Sequence, residues 1–287
     1  ALESIQNECG SSEDDSLSSL GHMCVFNIYK EGSYSFREAL TTIERKGHLD
    51  LQAKILRNLG EAYRREGRFD EALERLKESQ NIVKSVGDRD QLGKNLCYIG
   101  IVHSTLAYSN VIQMDMAVVR WIHYELAILS LNEAIEIFEK IDDKFLLGWA
   151  LETLGKIYIM QQLWEDAKKA FESAMGLGYK NGIVYLSLAI CSQNLNNEAE
   201  LANHLSEARK LLNTKGINEY DVALLEANFG DINSAFSFLK MALEKKQTNI
   251  TLMERDPFLA PITADLRFDI LRQEFSGYKN TIIVPFM

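Results

Sequence analysis

A small residue set directly behind a large apolar one recurs along this chain: Leu20-Gly21, Leu59-Gly60, Ile99-Gly100, Leu154-Gly155, Leu188-Ala189 and Val222-Ala223, with the small residues 39, 40, 55, 34 and 34 apart. Self-similarity at a spacing of roughly 20 to 50 residues marks stacked repeats and outranks any local reading. Twelve residues beyond Gly60, Gly155 and Ala223 stands an alanine (Ala72, Ala167, Ala235), with Leu201 in that place after Ala189. Four further on come Leu76, Phe171, Leu205 and Leu239, and seven further on Ser79, Ala174, Ala208 and Ala242. Gly or Ala is required where two helices approach to about 8–10 Å, and a bulky residue one turn later fills the adjoining gap. Each unit therefore reads as a helical hairpin. The only prolines are Pro257, Pro261 and Pro285, so nothing before them breaks a helix by ring clash or a missing donor. Loop signals at Glu66-Gly67-Arg68, Gly87-Asp88, Asp142-Asp143, Leu177-Gly178 and Gly230-Asp231 separate the helices.

Two units carry this pattern most fully: Leu59-Gly60-x-x-Tyr63 with Gly67, Ala72 and Leu76, and Leu154-Gly155-x-x-Tyr158 with Ala167, Phe171 and Ala174. They resemble tetratricopeptide repeats. The resemblance extends over residues 15–246, with Ala189 and Ala223 replacing the glycine and Ser192 and Glu226 replacing the tyrosine. The longer spacings near the N-terminus are similar to the long-repeat variant of scaffold and sensor proteins. Such a hairpin cannot bury its apolar face alone, so stacking is obligatory. The resemblance implies an all-α, right-handed α-solenoid of about six hairpins. The expected organisation is an acidic N-terminal segment at 1–14, the repeat array at 15–246 and a C-terminal cap and tail at 247–287.

Between Gly100 and the next second-helix alanine, read as Ala134, lie 34 residues instead of 12, an insertion of 22 near residues 107–130. The stretch from Val111 to Tyr124 has no Gly or Pro and many apolar residues. Read as helix, 22 residues would extend about 33 Å. Its apolar side is either covered by this same chain or exposed as a second candidate interface for a homodimer or a missing part of the protein, formed by Met116, Val119, Trp121 and Ile122. At the other end, apolar residues at 258, 262, 266 and 271 suit a short helical cap over the last hairpin. The tail Thr281 to Met287 is apolar and expected to tuck against the solenoid or an absent neighbour.

Charge and chemistry narrow the function. The net charge is −10, and half of it comes from Glu3, Glu8, Glu13, Asp14 and Asp15 in the first 20 residues. That balance argues against nucleic acid and anionic lipid as partners, and no stretch approaches the roughly 18 apolar residues of a membrane span. Cys9, Cys24, Cys97 and Cys191 show no metal-site or disulfide-framework spacing, and no metal or cofactor is expected. A reducing, cytoplasmic setting fits, although Asn249-Ile250-Thr251 forms a lone glycosylation sequon. Because the chain starts at Ala1, it is expected to be part of a larger protein. No phosphate loop, zinc-protease motif or nucleophile elbow occurs, so no enzyme is expected. His103 reads as packing between helices, and Asp142-Asp143 as helix capping.

What remains is the inner surface. The resemblance implies that the first helix of each hairpin lines a concave groove. It places Lys54, Arg57, Glu61, Arg64 and Arg65 there in one unit, Lys94, Cys97, Ile101, Ser104 and Thr105 in the next, and Trp149, Glu152, Lys156, Ile159 and Met160 in the third. Ile183, Leu186, Ile190, Gln193, Asn194, Ile217, Tyr220, Leu224 and Asn228 follow. A basic early groove continued by an apolar and amide-bearing one suits an extended protein or peptide ligand with acidic groups. The arginines equally fit pairing with Glu61, Glu66 and Glu71 at helical spacing. The chaperone-tail clamp of the family needs an Asn where Glu61 stands. The expectation is a protein-interaction module. Its alternative is the regulatory sensor region of a signalling ATPase, cyclase or transcription activator.

Overall fold

The computed structural model describes residues 32–109, 117–212, 218–245 and 247–276. Expectations resting on residues 1–31, on Met116, on Ile217 and on residues 281–287 lie outside the described residues. Among the described residues every regular element is helical: α1 (Gly32–Lys46), α2 (Leu49–Glu66), α3 (Phe69–Val86), α4 (Arg89–Ser109), α5 (Ala117–Lys140), α6 (Lys144–Met160) and α7 (Trp164–Gly176). These continue as α8 (Gly182–Asn194), α9 (Glu198–Leu212), α10 (Glu219–Phe229), α11 (Ile232–Glu244), α12 (Ile250–Met253), a 3₁₀ turn (Pro257–Leu259) and α13 (Leu266–Ser276).

Among the described residues five complete hairpins result, α2/α3, α4/α5, α6/α7, α8/α9 and α10/α11, while α1 packs on α2. The first helices α2, α4, α6, α8 and α10 also touch one another in succession. They form the inner layer of a curved α-solenoid, with α3, α5, α7, α9 and α11 outside.

The small residues sit where the two helices of a hairpin cross. A Cβ on Gly60 would lie 2.8 Å from Leu76 Cγ and 3.1 Å from the Ala72 carbonyl, and one on Gly155 would lie 2.7 Å from the Phe171 ring. Ala72, Leu76, Ala167, Phe171, Ala235 and Leu239 are all wholly buried, each large side chain contributing about 1.5–3 kcal/mol by leaving water. Ser79 replaces the third small residue of its unit because its hydroxyl is used: Oγ donates to the Ala53 carbonyl (2.6 Å) and accepts from Asn95 Nδ2 (2.8 Å).

The second hairpin corrects the register read from sequence. Gly100 is crossed by the Ala127 carbonyl at 3.2 Å and Leu131 Cγ at 3.0 Å, so Ala127, not Ala134, is the counterpart of Ala72. It follows Gly100 by 27 residues rather than 12, an insertion of 15 rather than 22. Relative to α2/α3, three residues lengthen the end of α4, seven lengthen the start of α5 and five lengthen the connection. Among the described residues the insertion adds no helix of its own, and its described part is the N-terminal extension of α5.

Turn geometry follows residue type. Gly67 (φ 79°) and Gly87 (φ 83°) take the left-handed conformation that ends α2 and α3, a conformation a Cβ disfavours. The corresponding turns after α5, α6 and α8 place Asp142, Gln162 and Asn196 at positive φ instead. Asp143 caps α6, accepting from the Leu146 amide at 2.9 Å. In the cap, Phe258, Ile262 and Leu271 are buried as read, but Leu266 is 73% exposed. Phe268, two residues on and wholly buried, fills its place.

Candidate interaction groove

The inner wall is built by side chains that link each first helix to the next. On α2, the Glu61 carboxylate is buried and accepts from Arg64 Nε (2.7 Å), Arg64 Nη2 (2.8 Å) and Arg65 Nε (2.5 Å). Burial alone would raise its pKa; the two guanidinium groups override that and hold it at about 2. Arg57 reaches from α2 to α4, where Nη1 donates to Gln91 Oε1. Lys94 is paired to Asp90 on its own helix (2.7 Å), and Lys54 is half-buried. Tyr98 of α4 meets Trp149 of α6 edge to face, ring centroids 5.6 Å apart.

Further along, Glu152 of α6 is buried, pairs with Lys156 one turn on, and accepts from Asn181 Nδ2 at the start of α8 (3.4 Å). Lys156 faces Asp256 and Asp221. Tyr220 Oη donates to Asp256 Oδ2 at 2.6 Å. Burial raises Asp221 to about 6 against the pull of Lys156, and burial likewise raises Asp256. Ile159 is buried in the core, Met160 is half-buried, and Asn194 is exposed with its amide donating to Ile190 of its own helix (2.8 Å). Cys97, Leu186, Ser104 and Thr105 are buried, so they pack between helices rather than line an open wall.

The C-terminal cap reaches further into this surface than a lid on the last hairpin would. Asn228 Nδ2 donates to the Phe258 carbonyl (2.7 Å), which ties the cap to the inner side of α10. Its leading edge meets the turn between α2 and α3. Asn249 Nδ2 donates to the Arg65 carbonyl (3.2 Å), the Thr251 methyl stands where a Cβ on Gly67 would lie 3.2 Å away, and the Arg255 guanidinium lies 5.3 Å from the Phe69 ring centroid. The two ends of the array are joined. Asn249 also caps α12, its Oδ1 accepting from the Leu252 amide (3.0 Å), and a glycan on Nδ2 at this sequon would displace the contact to Arg65.

Residues 30–108, which hold α1 to α4, match the tetratricopeptide repeat family model. The match covers that segment, somewhat over a quarter of the chain. Three solved structures share the fold: BtubC (BKLC) from P. vanneervenii (TM-score 0.54, 18% identity, 69% of this chain on 78% of that one); the apo form of RapI (0.55, 18%, 88% on 89%); and a signal transduction ATPase with numerous domains, bearing a tetratricopeptide repeat sensor, from Pyrococcus horikoshii (0.55, 15%, 97% on 43%). No curated protein sequence matches the chain. The later tetratricopeptide-like hairpins repeat the crossing of Gly60 with substitutes, and Ala189 and Ala223 are wholly buried.

Outside the groove, titratable groups serve packing. His103 of α4 is buried and stacks on His123 of α5, Nδ1 to Nδ1 3.1 Å. Burial raises the Cys191 thiol to about 12 and pushes the buried Cys97 thiol up as well, which leaves both inert as nucleophiles. Among the described residues no three His, Cys, Asp or Glu side chains converge on a metal position, and no helix is long and apolar enough to cross a membrane.

Proposed function

We propose that this chain is an interaction module that binds an extended, carboxylate-bearing peptide segment along its inner helices. One observation carries this reading: of the groove cations, Arg57 is held by a neutral amide rather than a carboxylate, next to the Tyr98–Trp149 aromatic pair. Arg64 and Arg65 both donate to Glu61, so their hydrogen-bonding groups are partly taken up within α2, although one positive charge of the pair remains uncompensated by Glu61. A carboxylate at Arg57 would gain a charge-assisted hydrogen bond, and an apolar side chain beside it would find the Tyr98–Trp149 pair.

The test is selection of a random peptide library on the full chain. Acidic-apolar peptides should enrich, and Arg57→Glu should weaken the selected peptide at least tenfold, since a charge-assisted hydrogen bond contributes about 1.5–3 kcal/mol. Arg75→Glu, on the outer helix α3, should leave binding unchanged. No enrichment, or binding indifferent to Arg57→Glu, refutes the reading. The sensor-bearing ATPase, whose length this chain spans to 43%, supports a second reading in which the same groove is the regulatory sensor of a larger protein.

A further inference from the structure

Over residues 117–131 helix α5 carries large apolar side chains on opposite faces, and only one of those faces is buried. Tyr124, Ala127, Leu131, Ala134 and Phe138 are buried, whereas Val118, Trp121, Ile122, Leu126 and Leu129 are 68%, 61%, 43%, 37% and 66% exposed. Positions 118, 122 and 129 fall on one line of the helix with 121 and 126 flanking it, so the five form a continuous stripe. A helix apolar on opposite faces is one enclosed on both. The stripe lies on the side of α5 opposite the buried face that packs on α4, so α4 does not cover it.

The stripe matches itself. In two antiparallel helices related by a two-fold axis, residues whose numbers share a constant sum face each other. With the axis level with the His123–Tyr124 peptide, Val118 faces Leu129 of the partner subunit, Ile122 meets Glu125 of the partner subunit, and Trp121 runs along one rim beside Trp121 of the partner subunit. The exposed area of the five side chains is on the order of 500 Å², at the level of the largest patches on monomers. Doubled across the axis it reaches the roughly 1,000 Å² that a specific interface needs. We propose that the chain forms a homodimer by antiparallel packing of this α5 face. Glu125 is exposed within the same stripe, and in this arrangement it approaches its own copy near the axis, which limits affinity. A heterologous helix would show no such self-repulsion.

Sedimentation of the full chain across micromolar concentrations tests this. The wild type should dimerise. Trp121→Asp combined with Leu129→Asp should weaken the dimer at least a hundredfold, with helicity and Tm retained because both side chains lie outside the core, and Glu125→Ala should tighten it several-fold. Hydrogen exchange of the wild type gives a readout that needs no variant: amides at the start of α5 should slow as concentration rises. A monomeric wild type overturns the proposal, as does a dimer that persists in the double variant or exchange at the start of α5 that ignores concentration. Dimerisation that appears only after residues 277–287 are removed assigns the face to that tail and overturns it too.

Discussion

Replacing Gly155 by alanine sets two effects of known size against each other at one helix crossing. Inside a helix, Gly to Ala is worth up to about 1 kcal/mol of stabilisation through backbone entropy. At Gly155 the new methyl would stand 2.7, 2.8 and 2.9 Å from three atoms of the Phe171 ring, and that ring is wholly buried in the core, so it has no free space to yield into. Overpacking of this kind costs about 1–3 kcal/mol. The expected net is a destabilisation of roughly 1 kcal/mol. At Gly176, the last residue of α7, nothing lies within 4 Å of the added methyl. There the same substitution should stabilise by about 0.4–1 kcal/mol. Urea unfolding followed by circular dichroism, with the slope checked for constancy because repeat arrays depart from two-state behaviour, reads both. Phe171→Leu should relieve the clash, so the double variant with Gly155→Ala should be more stable than the single effects added together, by about 1 kcal/mol. If Gly155→Ala stabilised the chain as Gly176→Ala does, the glycine would not mark a close approach, and the argument from small residues to hairpins would fail.

Two other perturbations bear on remote parts of the array. Burial, reinforced by His123 and Lys77, lowers His103 to about 4, below its ordinary value near 6.5. The unfolded chain therefore binds this proton first, so its contribution is full above about pH 6.5 and falls as pH drops towards 4, with about 2 kcal/mol lost by pH 5. His103→Leu should flatten Tm against pH in that window, and an unchanged profile would show that the imidazole is not held neutral. Asn249→Asp keeps the acceptor that caps α12 but removes the donor to the Arg65 carbonyl. Combined with Arg255→Ala, it should release the cap from the α2/α3 turn. Small-angle scattering should then show a larger radius of gyration, and exchange should quicken at residues 64–69 but not in α7. An unchanged radius would mean that the contact does not hold the two ends together.

What the sequence disclosed, and what it hid, depends on whether a contact leaves a local trace. Gly60 and Gly155 announced their crossings because the residues they meet lie 12 and 16 positions downstream, at a fixed offset that repeats. The ion pairs of Glu61 were equally legible, since Arg64 and Arg65 lie one helical turn away. After Gly100 the same logic slipped by seven residues. Ala127 and Ala134 lie two turns apart on one face, both are wholly buried, and each has a large apolar residue four positions on, Leu131 and Phe138. Gly93, seven before Gly100, compounds the ambiguity, because a Cβ there would meet the Phe138 ring at 2.5 Å. Glycine and aromatic thus form a second crossing in register with the first, and only packing separates them. The positive φ of Gln162 and Asn196 was hidden for a related reason: neither residue is glycine, and the turn is imposed by the hairpin rather than invited by the side chain.

The groove was legible only as a set of positions, because its partners come from different units. Asn249 with Arg65 lies 184 residues apart, a separation at which no periodicity survives, and Arg57 with Gln91, 34 apart, joins unlike positions of two units whose own spacing is 40. This matters for what the groove is. Read from sequence, it is an open basic channel; in the folded chain, Glu61 engages two of its cations and cancels one of their two charges, Asp256 faces Lys156, and the cap meets the α2/α3 turn. On the proposed function, a ligand would meet a wall whose charges are largely engaged, and selectivity would fall to the Arg57 guanidinium, which Asp88 and Asp90 influence without pairing, and the aromatic surface beside it. That is why a charge reversal at Arg57 should act on binding, while one at Arg64 should first act on the fold by leaving Glu61 buried with one partner fewer, a loss of about 1–3 kcal/mol.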